Sequence, residues 1–177
     1  TANTSNVFDL LGDSQTGISN TIGFLNNLGE AEQLTLTKEE IVLTPVLHHE
    51  VLPHGDKKIG YLVFQDFIDT ARVELAEAFG VFQSEGIDEL VIDLRYNGGG
   101  SVDVAQYLAG WMIGKEHGNE AFVNFEHNRK ISSWDTTLNV PQNAEGLALN
   151  RIFFIGTSST ASASELIING VKPYTQS

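Results

Sequence analysis

The chain has 177 residues, 41% of them hydrophobic and 19% charged, so it is long and apolar enough to form the core of one domain. Its 23 acidic residues outnumber its 10 basic ones, and the net charge of −13 disfavours binding to nucleic acid or to anionic membranes. The absence of cysteine excludes disulfides, thiolate nucleophiles and Cys-ligated zinc, and no apolar run approaches the roughly 20 residues of an integral membrane helix.

The first 40 residues differ in composition from the rest and are rich in Asn, Thr, Ser and Gly. Short apolar alternations at Ile18–Leu25 and Leu34–Leu36 flank a turn at Gly29-Glu30, which predicts a β-hairpin. This segment is too small to bury its own apolar face. The polar, proline-containing stretch that follows, residues 41–57, is predicted to be an extended connector.

From residue 58 onward, apolar runs of strand length alternate with helical periodicity. The predicted elements are strand Lys58–Phe64, helix Asp69–Glu85 ended by Gly86, strand Leu90–Ile92, helix Ser101–Ile113 ended by Gly114, strand Ala121–Phe125, an irregular stretch Asn128–Asn150, strand Ile152–Ile155 and helix Ser162–Gly170. This alternation predicts an α/β fold of βαβ units with a largely parallel sheet.

One loop at the end of a predicted strand is rich in glycine. In Arg95-Tyr96-Asn97-Gly98-Gly99-Gly100, which we name the glycine loop, three consecutive glycines leave backbone N–H groups uncovered and permit positive φ. Such a loop can accept an anion at the carboxyl edge of the sheet, where ligands of open α/β sheets bind. Taken alone, the motif is more typical of a tight strand-to-helix turn.

A second loop, residues 156–162, runs from the last predicted strand into the last helix; we name it the serine loop. Ser162 at the helix N-terminus lies where the helix dipole and free N–H groups stabilise negative charge, and Ala161 and Ala163 leave room for a substrate carbonyl. The alternative is an ordinary N-cap, with Glu165 completing a capping box.

The two motifs, taken together and in this order, are more specific to one class of protein than either motif alone. Leu-Val-Ile-Asp-Leu-Arg-Tyr-Asn-Gly-Gly-Gly at 90–100, Thr-Ala-Ser-Ala-Ser-Glu-Leu at 160–166 and Ile-Gly-Tyr at 59–61 together resemble the C-terminal-processing (tail-specific) serine peptidases. The resemblance covers about residues 58–174 and implies a crotonase/Clp-like α/β core for residues 58–177, one that stops short of the family's last strands. Residues 1–40 resemble, more weakly, the closing strands of a PDZ domain.

The resemblance implies a role for several residues. Ser162 takes the nucleophile's position, and the oxyanion hole is expected from the backbone N–H of Ala163 with that of Gly99 or Gly100. Ser164 is expected to be a structural hydroxyl. Asp93 and Arg95 are expected to anchor the glycine loop by hydrogen bonds; they are not expected to react. Many relatives have Asn-Pro-Gly-Gly where this chain has Asn97-Gly98-Gly99-Gly100, a less rigid loop.

The family's general base is a lysine on a strand after the serine, and it is expected beyond the end of this chain. Lys172, the only lysine after Ser162, is ten positions along the same predicted helix, or roughly 15 Å at helical rise. It is a poor candidate. A metal or base role for the histidines of His48-His49-Glu50 and His54 is not supported by their spacing, and His117 and His127 are expected to be solvated.

Three functional alternatives therefore remain open. The first is a serine endopeptidase that acts on unfolded or tail-exposed protein substrates outside the cytoplasm, in the periplasm or cell envelope, without metal or cofactor. Read literally, this chain lacks the second half of its Ser-Lys dyad and is expected to be inactive by itself. The second is a non-catalytic ligand- or peptide-binding protein on the same core, and the third is a fragment with a structural role only.

Overall fold

The computed structural model describes residues 11–175 and divides the chain into two compact units, Thr1–Leu43 and Thr44–Ser177. In the first unit, strands β1 (Ser19–Leu25) and β2 (Ala31–Thr37) pair in antiparallel fashion across a turn in which Gly29 has φ 80°. The predicted hairpin is therefore present. Its assignment to a PDZ-like module stays a prediction, and residues 1–10 lie outside the described range.

The second unit contains the remaining elements. In chain order they are β3 (Val46–His54), β4 (Lys57–Phe64), α1 (Ala71–Glu85), β5 (Glu89–Asp93), α2 (Val102–His117), β6 (Ala121–Phe125), β7 (Thr136–Asn139), β8 (Ile152–Ile155) and α3 (Ala163–Val171). Four strands form one sheet in the order β3-β4-β5-β8, in which β4, β5 and β8 are parallel and β3 pairs antiparallel at the edge. The predicted α/β fold with a largely parallel sheet is confirmed.

One face of this sheet forms the core. Most strand residues on that face are fully buried, as are the inward residues of α1 and α2; the largest of them are Leu62, Phe64, Leu75, Phe79, Phe82, Leu90, Ile92, Leu108 and Met112. The opposite face is only partly covered, since Tyr61, Val63 and Val91 are half-buried and Phe153 is exposed. Burial on one face fixes the register of the strands and so fixes where their carboxyl ends lie.

The connector predicted for residues 41–57 is wrong for residues 46–54. These residues form β3, which pairs with β4 from Val46↔Phe64 to His54↔Lys57 and skips Leu47 at a β-bulge. The sequence does not reveal this strand, because it is an edge strand with polar side chains and Pro53, and because the bulge breaks the alternation of apolar residues.

The second helix is longer than predicted, because Gly114 does not end it. A Cβ at Gly114 would lie 2.5 Å from the Pro141 carbonyl oxygen, and Gly110 and Gly118 also face the segment around Pro141 closely. These glycines follow the i, i+4 spacing of one helix face. They allow the backbone of residues 141–142 to approach α2, so Gly114 has a packing role within the helix.

The stretch predicted as irregular, residues 128–150, contains two short elements. A single 3₁₀ turn at Ser132–Trp134 precedes β7, and β7 pairs with β6 in a separate antiparallel sheet. The four-residue strand Thr-Thr-Leu-Asn has too little apolar alternation to be recognised without its partner. Within residues 11–175, no helix has both the length and the apolar composition needed to cross a membrane.

Candidate active site

The two loops predicted to carry chemistry leave neighbouring parallel strands at the same edge of the sheet. Strands β5 and β8 are paired in register up to Asp93↔Ile155, so the glycine loop after β5 and the serine loop after β8 start side by side. Each loop then enters a helix, α2 or α3. The carboxyl edge of a parallel sheet is the usual position of a binding site in this fold class.

Asn97 holds the glycine loop in place. Its side chain is fully buried, its Nδ2 donates to the Phe64 carbonyl oxygen at 3.0 Å, and its Oδ1 accepts from the Gly99 N–H at 2.9 Å. Its own carbonyl oxygen accepts from Ser164 Oγ at 3.0 Å and from the Ala161 N–H at 3.3 Å. Asn97 therefore ties the glycine loop to the end of β4 and to the start of α3. Sequence reasoning gave it no role.

Two threonines tie the serine loop to the end of β5. Thr160 Oγ1 donates to the Leu94 carbonyl oxygen at 2.6 Å and accepts from the Thr157 N–H at 2.9 Å. Thr157 Oγ1 donates to the carbonyl oxygen of Arg95. These bonds hold both loops on the same strand end, so the Ser/Thr content of the serine loop has a structural cause.

Ser162 has an unusual backbone conformation immediately before α3. Its φ and ψ are 57° and −119°, a region that non-glycine residues rarely occupy and that costs on the order of 1–3 kcal/mol. Its side chain is exposed and forms the predicted capping box with Glu165, in which the Ser162 N–H donates to Glu165 Oε2 at 3.1 Å. A sharp, strained strand-to-helix turn that exposes a serine is also the arrangement of a nucleophile elbow.

The backbone beside Ser162 supplies candidate oxyanion donors. Ala163 is the first residue of α3, and its N–H donates no hydrogen bond to any described residue. The Gly99 N–H, one of the two predicted alternatives, is already bonded to Asn97 Oδ1. The Gly100 N–H has no acceptor within residues 11–175, so it is the freer of the two glycine donors.

Gly99 packs directly against the serine turn. A Cβ built on Gly99 would lie 2.6 Å from Ser162 Cβ and 2.9 Å from the Ala163 nitrogen, and the φ of Gly99 is 107°. Gly100, with φ 133°, is equally close to the backbone of Phe67. Only residues without a side chain allow this approach, which brings the two loops into contact at Ser162.

Among the described residues, no lysine or histidine is hydrogen-bonded to Ser162, whose side chain takes part in a capping box with Glu165. Lys172 Nζ donates to Asn169 Oδ1 at 3.1 Å, at the far end of α3. The histidine partners lie elsewhere: His48 with Glu50, His117 with Glu120, and His127 with Asp135. No group of three or more His, Asp or Glu side chains among the described residues is arranged to bind a metal ion.

Asp93 and Arg95 form an ion pair at the base of the glycine loop. Arg95 Nη2 donates to Asp93 Oδ2 at 2.7 Å, Arg95 Nε contacts both carboxylate oxygens, and Tyr61 Oη donates to Oδ2 at 2.9 Å. The hydrogen bonds from Arg95 hold the pKa of the Asp93 carboxyl below its usual value, and the bond to Asp93 raises the pKa of Tyr61. All charges of this cluster are satisfied internally, so it anchors the loop.

This cluster predicts a loss of stability in acid. Because the folded-state pKa of Asp93 lies below its unfolded value near 3.8, the cluster stabilises the fold fully above that value, and this stabilisation is lost as the pH falls through the folded-state pKa. We expect Asp93→Asn to lower the free energy of unfolding at about pH 6 and to flatten its fall toward about pH 2. Urea unfolding at both pH values measures this. Parallel pH profiles for the two proteins would contradict it.

Comparison with known proteins places the chain in a family. Residues 58–176 match the family model described as Peptidase family S41. The chain is 27% identical over 146 residues to a probable CtpA-like serine protease of Staphylococcus saprophyticus, covering 82% of this chain and 28% of that protein. It is 26% identical over 145 residues to a carboxyl-terminal-processing protease of Synechocystis, covering 80% and 31%. The chain thus spans less than a third of these relatives.

Solved structures agree with this result. A putative S41 protease from Bacteroides fragilis matches with a TM-score of 0.71 and 27% identity, over 91% of this chain and 46% of that one. The photosystem II D1 C-terminal processing protease shares the fold, with a TM-score of 0.61 and 20% identity over 90% and 42% of the two chains. The family match includes both loops described above. The chain belongs to peptidase family S41.

Proposed function

We propose that this chain carries the nucleophile and the oxyanion hole of a serine endopeptidase, with Ser162 as the nucleophile. The observation that carries the proposal is the strained, exposed Ser162 between the free N–H of Ala163 and the close-packed Gly99. Such a turn is costly to maintain, and a simple N-cap does not require it. The family membership of residues 58–176 supports the same role.

In this mechanism Ser162 Oγ attacks the carbonyl carbon of a peptide bond, and its proton passes to a general base. The negative charge that develops on the carbonyl oxygen is stabilised by the N–H groups of Ala163 and Gly100 and by the positive end of the α3 dipole. The C–N bond then breaks, the base returns the proton to the leaving amine, and an ester on Ser162 remains. Water hydrolyses that ester and regenerates the serine.

We propose that the general base is a lysine outside these 177 residues. Among the described residues, the Glu165 carboxylate is bonded to the Ser162 N–H as part of a helix cap, and Lys172 is bonded to Asn169. A lysine becomes a base near neutral pH when burial lowers its pKa. By itself the 177-residue chain is therefore expected to bind substrate without turning it over.

The relatives' names include carboxyl-terminal-processing proteases. By analogy we propose unfolded or tail-exposed polypeptides as substrates, and a location outside the cytoplasm. An extended peptide suits an open strand-end site, because its backbone carbonyl groups are exposed to both loops. The chain's own net charge of −13 disfavours acidic substrates.

A serine-directed fluorophosphonate, applied to the full-length protein that includes the expected lysine, tests the nucleophile. We expect one adduct, on Ser162, identified by tandem mass spectrometry of the peptide that follows Arg151. Ser159→Ala is the matched control, since Ser159 is an exposed serine of the same loop and should leave labelling unchanged. Adduct formation that survives Ser162→Ala would end the proposal, and a protein that binds peptides without being labelled would favour the non-catalytic alternative.

A further inference from the structure

A cleft of about 300 Å³ opens beside the glycine loop, and the proposed mechanism leaves it unassigned. It lies at the carboxyl ends of β4 and β5 and is lined mainly by apolar surface; the lining residues are Leu47, Val63, Phe64, Gln65, Asp93, Arg95 and Tyr96. Its volume is at the lower end of the range for ligand sites. It therefore suits one large side chain better than a whole cofactor.

Two residues at the cleft are exposed although they are large and apolar. Tyr96 is 80% exposed, and its two neighbours in the glycine loop, Arg95 and Asn97, are fixed by hydrogen bonds. Leu47 is 55% exposed and is the residue that the β-bulge of β3 leaves out of register. Bulges near functional sites often redirect a side chain. An exposed tyrosine on a rigid support is typical of binding surfaces.

The charge at the cleft restricts what it can accept. Asp93 is neutralised by Arg95 and by the hydrogen bond from Tyr61 Oη, so the polar part of the wall carries no unpaired charge. A charged guest would lose hydration without gaining a free partner. An apolar guest, in contrast, would cover Leu47, Val63 and Tyr96 and remove apolar area from water.

The cleft is close to the nucleophile along the backbone. Tyr96 is followed by Asn97, and Asn97 holds Gly99 against Ser162. Three residues span at most about 11 Å, and an extended substrate advances roughly 3.3–3.6 Å per residue. With the further step from Gly99 to Ser162, a peptide whose scissile carbonyl lies at Ser162 and that follows the glycine loop can place a side chain at the cleft within about five residues of that carbonyl.

We propose that this cleft is a specificity subsite that binds an uncharged, apolar side chain of the peptide substrate, with Tyr96 and Leu47 as its two determining residues. This inference rests on the proposed peptidase function for its occupant. The preference is set by contact with apolar side chains, so it persists in the absence of turnover and is measurable as binding.

The test uses the full-length protein with Ser162→Ala, which binds peptides without cutting them. The probes are acetylated and amidated alanine heptapeptides with a single Leu, Phe, Asp or Lys at each internal position, and their dissociation constants are measured by calorimetry. At one position we expect Leu and Phe to bind about tenfold more tightly than Asp, a difference of about 1.4 kcal/mol. Adding Tyr96→Ala or Leu47→Asn should reduce that preference to about threefold or less.

Trp134→Ala is the matched control, since Trp134 is 67% exposed and does not line the cleft. It should keep the full preference, and circular dichroism checks that all variants fold. A preference that survives both cleft substitutions, tighter binding of Asp peptides, or no binding of any peptide would overturn the proposal. If the preference is found but the protein with Ser162 intact hydrolyses none of these peptides, the subsite stands and the peptidase function fails.

Discussion

Ser162→Gly is expected to stabilise the protein by about 1 kcal/mol while abolishing peptide cleavage. The φ of 57° at Ser162 costs a serine on the order of 1–3 kcal/mol, and glycine adopts it freely. Part of that gain is offset by about 0.4–1 kcal/mol, because glycine gives the unfolded chain more conformational freedom. The N–H bond to Glu165 remains, since it involves only the backbone of residue 162, whereas the side-chain half of the capping box is lost at a cost of about a few tenths of a kcal/mol.

Ser162→Ala separates the effect of backbone strain on stability from the effect of the hydroxyl on cleavage. Alanine lacks the hydroxyl, so we expect it to reduce kcat by a factor on the order of 10⁴–10⁶, as glycine does, but it keeps the Cβ and therefore the strain. Urea unfolding and peptide hydrolysis by the full-length protein measure the two effects. If the Ser162→Gly protein has no higher free energy of unfolding than the Ser162→Ala protein, the turn at Ser162 is not strained. The backbone conformation then no longer supports a catalytic role for Ser162.

Most elements of the second unit follow from local patterns. The buried strands β4, β5 and β8 are continuous apolar runs, and α1 shows helical spacing and ends at Gly86, which has the left-handed conformation expected of a C-cap. These elements are stabilised by burial of an apolar face, and the spacing of the apolar residues that form this face is visible in a single sequence. The predicted positions are therefore right to within about two residues.

Elements that depend on a distant partner were not predictable in this way. The edge strand β3 is mostly exposed and is defined by pairing with β4, and β7 is defined by pairing with β6. Gly114 resembles a helix stop in sequence, yet its missing side chain serves the close approach of Pro141. In each case the deciding contact comes from a segment that local pattern cannot reveal.

The candidate site also contains both features that local sequence reveals and features that depend on distant contacts. Ser162 and the two loops could be located from sequence, because their order is specific and strand ends gather ligand sites. The role of Asn97 could not, since in sequence it reads as one more turn residue before three glycines. Its Oδ1 bond to the Gly99 N–H follows the known Asx pattern, but its bonds to Phe64 and Ser164 exist only after folding.

Gly99→Ala is expected to cause a large loss of both stability and activity. Its Cβ would lie 2.6 Å from Ser162 Cβ and 2.8 Å from the Ala161 carbonyl oxygen, at a φ of 107° that alanine rarely adopts. Overpacking and backbone strain together predict a destabilisation of about 2–5 kcal/mol. Because the two loops must move apart at Ser162, kcat/KM should fall by about 10²-fold or more even in molecules that fold.

The neighbouring substitution Gly98→Ala is the control, because it reduces the flexibility of the same loop without a steric contact. No described atom lies within 4 Å of a Cβ at Gly98, and its φ is outside the left-handed range, so alanine should be neutral or stabilise the protein by about 0.4–1 kcal/mol. Urea unfolding and hydrolysis by the full-length protein compare the two variants. If both glycines respond alike, flexibility of the loop governs activity; if only Gly99 is sensitive, activity depends on the contact of its backbone with Ser162 and Ala163.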